Sequence, residues 1–165
     1  MDRKEQLDFF DLKLAEKIGN LFEYAVFHEG YSIYYFTLYW LASNTFQLLL
    51  DWDISLVSQA HTYIFGKFEE EMKKTGIIIE KEECIEYQEC VNWVGYVTMY
   101  WCIWEGISGK DIINRYDITH IVNNSEVYHS LGVKTAISMI KEDGFLNEQS
   151  TVISCIGSSH MQSDA

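Results

Sequence analysis

Two long stretches of this chain carry no charge. Gly30 to Leu50 has no Asp, Glu, Lys or Arg, and neither has Cys90 to Trp104. Together Tyr31–Trp52 and Tyr87–Trp104 hold 14 of the 25 aromatic residues. The rest of the chain is acidic, for a formal net charge of −13. Segments so apolar must leave water, whether inside the fold, against a partner or in a membrane. A membrane fits worst. Gly30–Leu50 has about the length of a bilayer core. Yet it carries Ser43, Asn44, Thr45 and Gln47, and Glu29 and Asp51 flank it in place of the Lys or Arg that orient insertion.

At 165 residues the chain is long enough for one domain with a core of its own. It contains no proline, where an average chain of this length has roughly eight. Proline breaks helix interiors and decorates turns, so its absence favours helices joined by Gly, Asn, Asp and Ser. Cys84, Cys90, Cys102 and Cys155 form no CxxC pair and no zinc-ligand spacing, and read as reduced core thiols. The charged start MDRKEQLDFFDLKLAEK has no apolar signal core, so a cytoplasmic protein is expected. Twelve Lys and Arg without a dense cluster argue against direct nucleic-acid binding through phosphates. An acidic surface suits a basic protein partner, or solubility alone.

Periodicity predicts the elements. A first helix is expected over 3–28, with Leu7, Phe10, Leu14, Ile18, Leu21 and Ala25 inward. Ser32 should cap a second helix to about Leu41, which Ser43-Asn44 interrupts before a helical Thr45–Leu50 turn. A third helix is expected to start at Asp51 or Asp53 and to end before Gly76, its run Glu69-Glu70-Glu71 forming a solvated face with pairs Glu69–Lys73 and Glu70–Lys74. Ile77–Ile79 has the look of a short strand with nothing to pair. The fourth helix, from Glu80 or Lys81 to Glu105, is acidic in its first turns and then apolar on nearly every side, as a central helix is. Gly95 in its middle costs about 1 kcal/mol against Ala, which close approach of another helix would offset. Ser108 and Asp111 form a capping box, Asp117 and Ser125 are further caps, and a last helix spans Val133 to Glu142. The expected fold is one all-α bundle of six to eight helices around 81–105, with 33–50 packed on it. Residues 1–144 make the helical domain and 145–165 a mobile tail.

Little in the chain has the spacing of known chemistry. Asp117-Ile118-Thr119-His120 and Glu126-Val127-Tyr128-His129 match the Glu-x-x-His of di-iron bundles. They sit on short elements without the two further Glu, so capping is the plainer reading and no metal or cofactor is expected. No P-loop, G-x-G-x-x-G, G-x-S-x-G or H-E-x-x-H motif occurs. A ligand pocket or small enzyme site would have to be built from Tyr96, Trp101, His120 and His129.

Trp93-Val94-Gly95-Tyr96-Val97-Thr98-Met99-Tyr100-Trp101, then Gly106-Ile107-Ser108-Gly109-Lys110-Asp111-Ile112 and Tyr128-His129-Ser130, resemble a family of small uncharacterised bacterial helical proteins. In that family W-x-G-Y-x-x-x-Y-W leads to G-x-x-x-K-[DE]-I and then Y-H-[TS]. The likeness covers about 20–143 and is strongest in 91–143. It implies genes encoded beside an ADP-ribosyltransferase-like protein, in cassettes like toxin–antitoxin pairs; it implies no catalytic residue.

These readings lead to a non-catalytic acidic module that binds another protein with a basic surface, an antitoxin or accessory component of such a cassette. Tyr34, Tyr35, Tyr39 and Trp40 would anchor the partner. Glu69, Glu70, Glu82, Glu83 and Glu86 would meet its charge. An acidic mobile-element inhibitor of a nucleic-acid-binding defence enzyme shares these features. The oligomeric state is open.

Overall fold

The Asp8 side chain accepts from Asp11 N, and the Asp11 carboxylate accepts from Asp8 N, so a capping box starts the first helix at Phe9. The computed structural model describes residues 3–146. Helix α1 (Phe9–Glu23) runs into one π-helical turn, Tyr24–His28. It is followed by α2 (Ile33–Ala42), α3 (Asn44–Leu50), α4 (Ile54–Val57), α5 (His61–Thr75) and α6 (Gln88–Glu105). Then come α7 (Gly109–Arg115), α8 (Ile118–Asn123), α9 (Ser125–Tyr128) and α10 (Val133–Asp143). Among the described residues there is no strand; the extended backbone amounts to two isolated bridges, Tyr31 with Lys81 and Tyr116 with Phe145. The fold is all-α.

α6 is the central helix. It is buried almost continuously from Cys90 to Ile103, with Trp101 at 0% exposure. Its buried Thr98 hydroxyl donates to Val94 O, 2.8 Å away, whereas the buried Trp101 Nε1 has no hydrogen-bond partner. α1 lies along α6 in the most extensive helix contact among the described residues. They meet at Gly95, where an added Cβ would come within 2.7 Å of both Ile18 O and the Phe22 ring. The close approach expected of that glycine is present.

The uncharged 33–50 segment is buried, but not chiefly against α6. The principal neighbours of α2 are α7, α8 and α3. Its rings form a cluster with α1 and α5: Phe36 stands 5.0 Å from Phe22 and 5.5 Å from Phe68, and Trp40 stands 5.5 Å from Phe68. Edge-to-face pairs of this kind add roughly 0.5–1.5 kcal/mol each beyond area burial. α1 therefore touches both charge-free stretches.

Several boundaries differ from expectation for a common reason: backbone groups found partners elsewhere. Residues 3–8 are not helical, because Lys4 N donates to Trp104 O (3.1 Å) and lays the segment along the end of α6. Phe10, although within α1, is 67% exposed instead of inward. Residues 80–87 are not the first turns of α6. Ser32 N donates to Glu80 O (2.9 Å) and Glu82 N donates to Gly30 O (3.1 Å), which holds 80–82 extended beside 30–32. Ser32 occupies the N-cap position of α2, but its side chain makes no capping bond. The third helix is split at Ser58–Ala60 into α4 and α5. Phe145 and Leu146 belong to the domain, Leu146 N donating to Arg115 O (2.8 Å). The rest of the expected tail, with Val152, Ile153, Cys155 and Ile156, lies outside the described residues.

Candidate functional site

Of the residues expected to meet a partner, the structure gathers Tyr34, Glu82, Glu83 and Glu86. The extended 80–87 segment crosses the N-terminus of α2, and with Ser32 and Ile33 these four line a recess of about 80 Å³. Burial and then the carboxylates of Glu86 and Glu82 push the Tyr34 phenol above its ordinary pKa. The Tyr34 hydroxyl donates to Asn123 Oδ1 (2.7 Å), which fixes the ring against α8. Ser32 is 1% exposed and its Oγ has no hydrogen-bond partner. Three acidic residues lining one recess suit a donor-rich cationic head such as guanidinium or ammonium.

The other expected contacts do not join this recess. Trp40 is fully buried and cannot touch a partner in this conformation. Tyr35 and Tyr39 are half-buried against the core, so α2 offers no exposed aromatic anchor. The Glu69–Glu71 run is not one solvated face. Glu69 accepts from the Tyr31 hydroxyl (3.0 Å). That bond and burial drive the Tyr31 pKa up to about 12, burial being the larger cause. Glu70 pairs with Lys67 at 3.4 Å, and no Glu69–Lys73 or Glu70–Lys74 pair forms among the described residues. Glu71 reaches across to α3, accepting from Asn44 N (2.8 Å), Thr45 N (2.8 Å) and Thr45 Oγ1 (2.7 Å). Nothing in the local pattern distinguishes Glu71 from its neighbours; its partner is 26 residues away in sequence.

The Tyr96, Trp101, His120 and His129 group is dispersed. Tyr96 is half-buried beside Tyr100 (6.0 Å), whereas Trp101 is core and packs on Tyr116 (4.8 Å). His120 sits on α8, with Nδ1 3.4 Å from Asn124 Nδ2 and Nε2 2.8 Å from the Tyr128 hydroxyl oxygen. The amide makes Nδ1 the acceptor, so Nε2–H donates to Tyr128. Asp117 does not face His120 as a ligand pair: it caps α8, accepting from Thr119 N (2.9 Å). Ser125 starts α9 but is not its N-cap, a position that falls to Asn124.

His129 Nδ1 lies 2.7 Å from Glu126 O and 3.1 Å from Ser125 O, so it donates to backbone carbonyls. Cys90 Sγ is 4.0 Å from that same nitrogen, which has no lone pair left to take a thiol proton. Burial raises the pKa of the Cys90 and Cys84 thiols, and raises Cys102 further. Thiols held protonated are weak nucleophiles. Among the described residues no three His, Cys, Asp or Glu side chains converge to hold a metal ion, and no helix is long and apolar enough to cross a membrane.

Comparison with protein-family models, with curated proteins and with solved structures finds no match to this chain.

Proposed function

We propose that this protein is a non-catalytic acidic module that binds a basic partner protein, with the Tyr34, Glu82, Glu83 and Glu86 recess receiving a Lys or Arg of that partner. The observation that carries the reading is the recess itself, lined by the three acidic residues Glu82, Glu83 and Glu86, on a chain of net charge −13. An interfacial arginine or lysine seated there would gain charge-assisted hydrogen bonds and fix register, as complementary charges at interfaces do. The resemblance at Trp93–Ile112 and Tyr128–Ser130 adds the setting, an antitoxin or accessory role beside an ADP-ribosyltransferase-like protein. Localisation in the cytoplasm belongs to the same proposal.

The test is co-expression with the product of the neighbouring gene and co-purification. Recovery of a stable complex is expected from the native chain. Glu82→Lys/Glu83→Lys/Glu86→Lys should lose it while keeping the native far-UV circular dichroism, since all three residues lie outside the helices. A complex that survives this reversal refutes the recess as the contact. No complex from the native chain refutes the module.

A further inference from the structure

Residues 3–6 cross the C-terminal end of α6 with little but charge to hold them. Arg3, Lys4, Glu5 and Gln6 are all exposed. Of their four amides, Lys4 N alone donates to a backbone carbonyl among the described residues, Trp104 O at 3.1 Å. A segment with few buried contacts and few backbone bonds opens readily, apart from the body it lies on. The first firm apolar anchor is Leu7, 5% exposed, just ahead of the Asp8 cap.

Cations fasten the segment. Lys4 Nζ reaches both oxygens of Asp11, at 3.0 and 2.8 Å. The Asp11 side chain is 3% exposed and that of Lys4 47%. Arg3 lies over the Trp104 ring, 5.6 Å from its centroid, and Lys134 of α10 lies 5.2 Å from the same centroid. Lys134 Nζ also donates to Glu5 O (3.3 Å). One indole thus gathers a cation from the segment and another from α10.

Asp11 links the segment to α1 without depending on it. Its carboxylate also accepts from Asp8 N (3.1 Å), the bond that closes the capping box. With the segment away, that bond remains and water reaches the freed oxygen, so α1 keeps its start. A carboxylate that lost its cation while still covered would be strongly penalised. Loss of the pair therefore favours the open segment. Opening matters for what lies beneath. Arg3 and Lys4 complete the wall of a hollow of about 550 Å³, whose other sides include Leu49, Leu50 and Ile103. Ile103 is 9% exposed with the segment in place.

We infer that residues 3–6 form a charge-latched strap, hinged at Leu7 and Asp8, that gates this hollow and the Trp104 end of α6. Closed, its cations neutralise Asp11 and hold the indole. Open, it exposes both while the helices stay as they are. The strap stands apart from the acidic recess and does not rest on the protein-binding reading.

Hydrogen exchange followed by NMR tests it. In the native chain the amide of residue 4 should exchange at least about tenfold faster than those of Val97 and Tyr100 in mid-α6, because it opens without them. Lys4→Met/Asp11→Asn removes the latch without stranding a buried charge. It should speed exchange at residue 4 by about tenfold or more, the loss that a charged hydrogen bond gives, and leave Val97 and Tyr100 unchanged. Lys4→Arg, which can still pair with the carboxylate, should keep the native rate. The gate is read at Ile103→Cys, whose labelling by iodoacetamide, mapped by mass spectrometry, should rise when the two latch substitutions are added.

A residue 4 amide that exchanges in step with Val97 overturns the strap. So does a latch variant with the native rate, or one that speeds Val97 and Tyr100 equally, which makes the pair a tie of the whole fold. Faster exchange at residue 4 with unchanged labelling of Ile103→Cys overturns the gate.

Discussion

Replacing Gly95 by alanine tests the contact on which the domain is built. The new Cβ would lie 2.7 Å from Ile18 O and 2.7 Å from the Phe22 ring, both on α1. Carbon contacts settle near 3.5–4.0 Å, so α1 would have to retreat by most of an ångström. Neither neighbour can swing aside. One is helix backbone, and Phe22 is 0% exposed inside the ring cluster. Overpacking of this kind costs about 3 kcal/mol, the upper end of its usual range, and alanine returns about 1 kcal/mol of helix propensity. The net loss is about 2 kcal/mol, which lowers Tm by roughly 4–8 °C in a domain of this size.

Gly66 supplies the control. It sits within α5 with nothing within 4 Å of an added Cβ. Gly66→Ala should therefore gain up to about 1 kcal/mol and raise Tm by roughly 2–4 °C. Thermal and urea unfolding followed by far-UV circular dichroism measure both. A Gly95→Ala protein as stable as the native chain, or a Gly66→Ala protein destabilised to the same degree, refutes the α1–α6 packing argument.

Glu71→Ala should destabilise by about 2 kcal/mol in urea unfolding, because the first N–H groups of α3 lose their charged acceptor; an unchanged midpoint would show that water replaces the carboxylate at no loss. Tyr31 makes stability fall at high pH. Its folded pKa stands near 12 against 10.0 unfolded, so its contribution is complete below pH 10.0 and disappears as pH rises through 12. Tyr31→Phe should flatten that part of the pH–stability curve, and an identical curve would contradict the assignment. Cys84, Cys90 and Cys102, with thiol pKa values raised by burial, should resist iodoacetamide at neutral pH in the native state and react on unfolding. Rapid labelling of Cys90, mapped by mass spectrometry, would revive a thiol nucleophile at that site.

The features legible from residue order were those settled within one turn of helix. Asp53, Ser108 with Asp111, and Asp117 each cap their helix by bonds to N–H groups two or three residues on. Gly76 and Gly106 end α5 and α6 in the left-handed conformation that glycine takes freely. The unbroken apolar surface of Cys90–Trp104 had only one place to go, the centre. Hydrogen bonds this short and burial this complete depend on near neighbours and on water, and neighbours and water are implicit in the chain.

Contacts across the fold decided the rest. The acidic 80–87 stretch reads as a helix start, since nothing within it says otherwise, but its backbone bonds to Gly30 and Ser32 and becomes one wall of the recess. Phe10 belongs to an inward stripe by spacing, yet on α1 it is 67% exposed. Glu71 looks like Glu70 until α3 is brought to it. Trp52 stands where local preference asks for glycine, in the turn that ends α3. Each depends on which distant segment arrives alongside, a choice made by closing the whole core and by no residue alone.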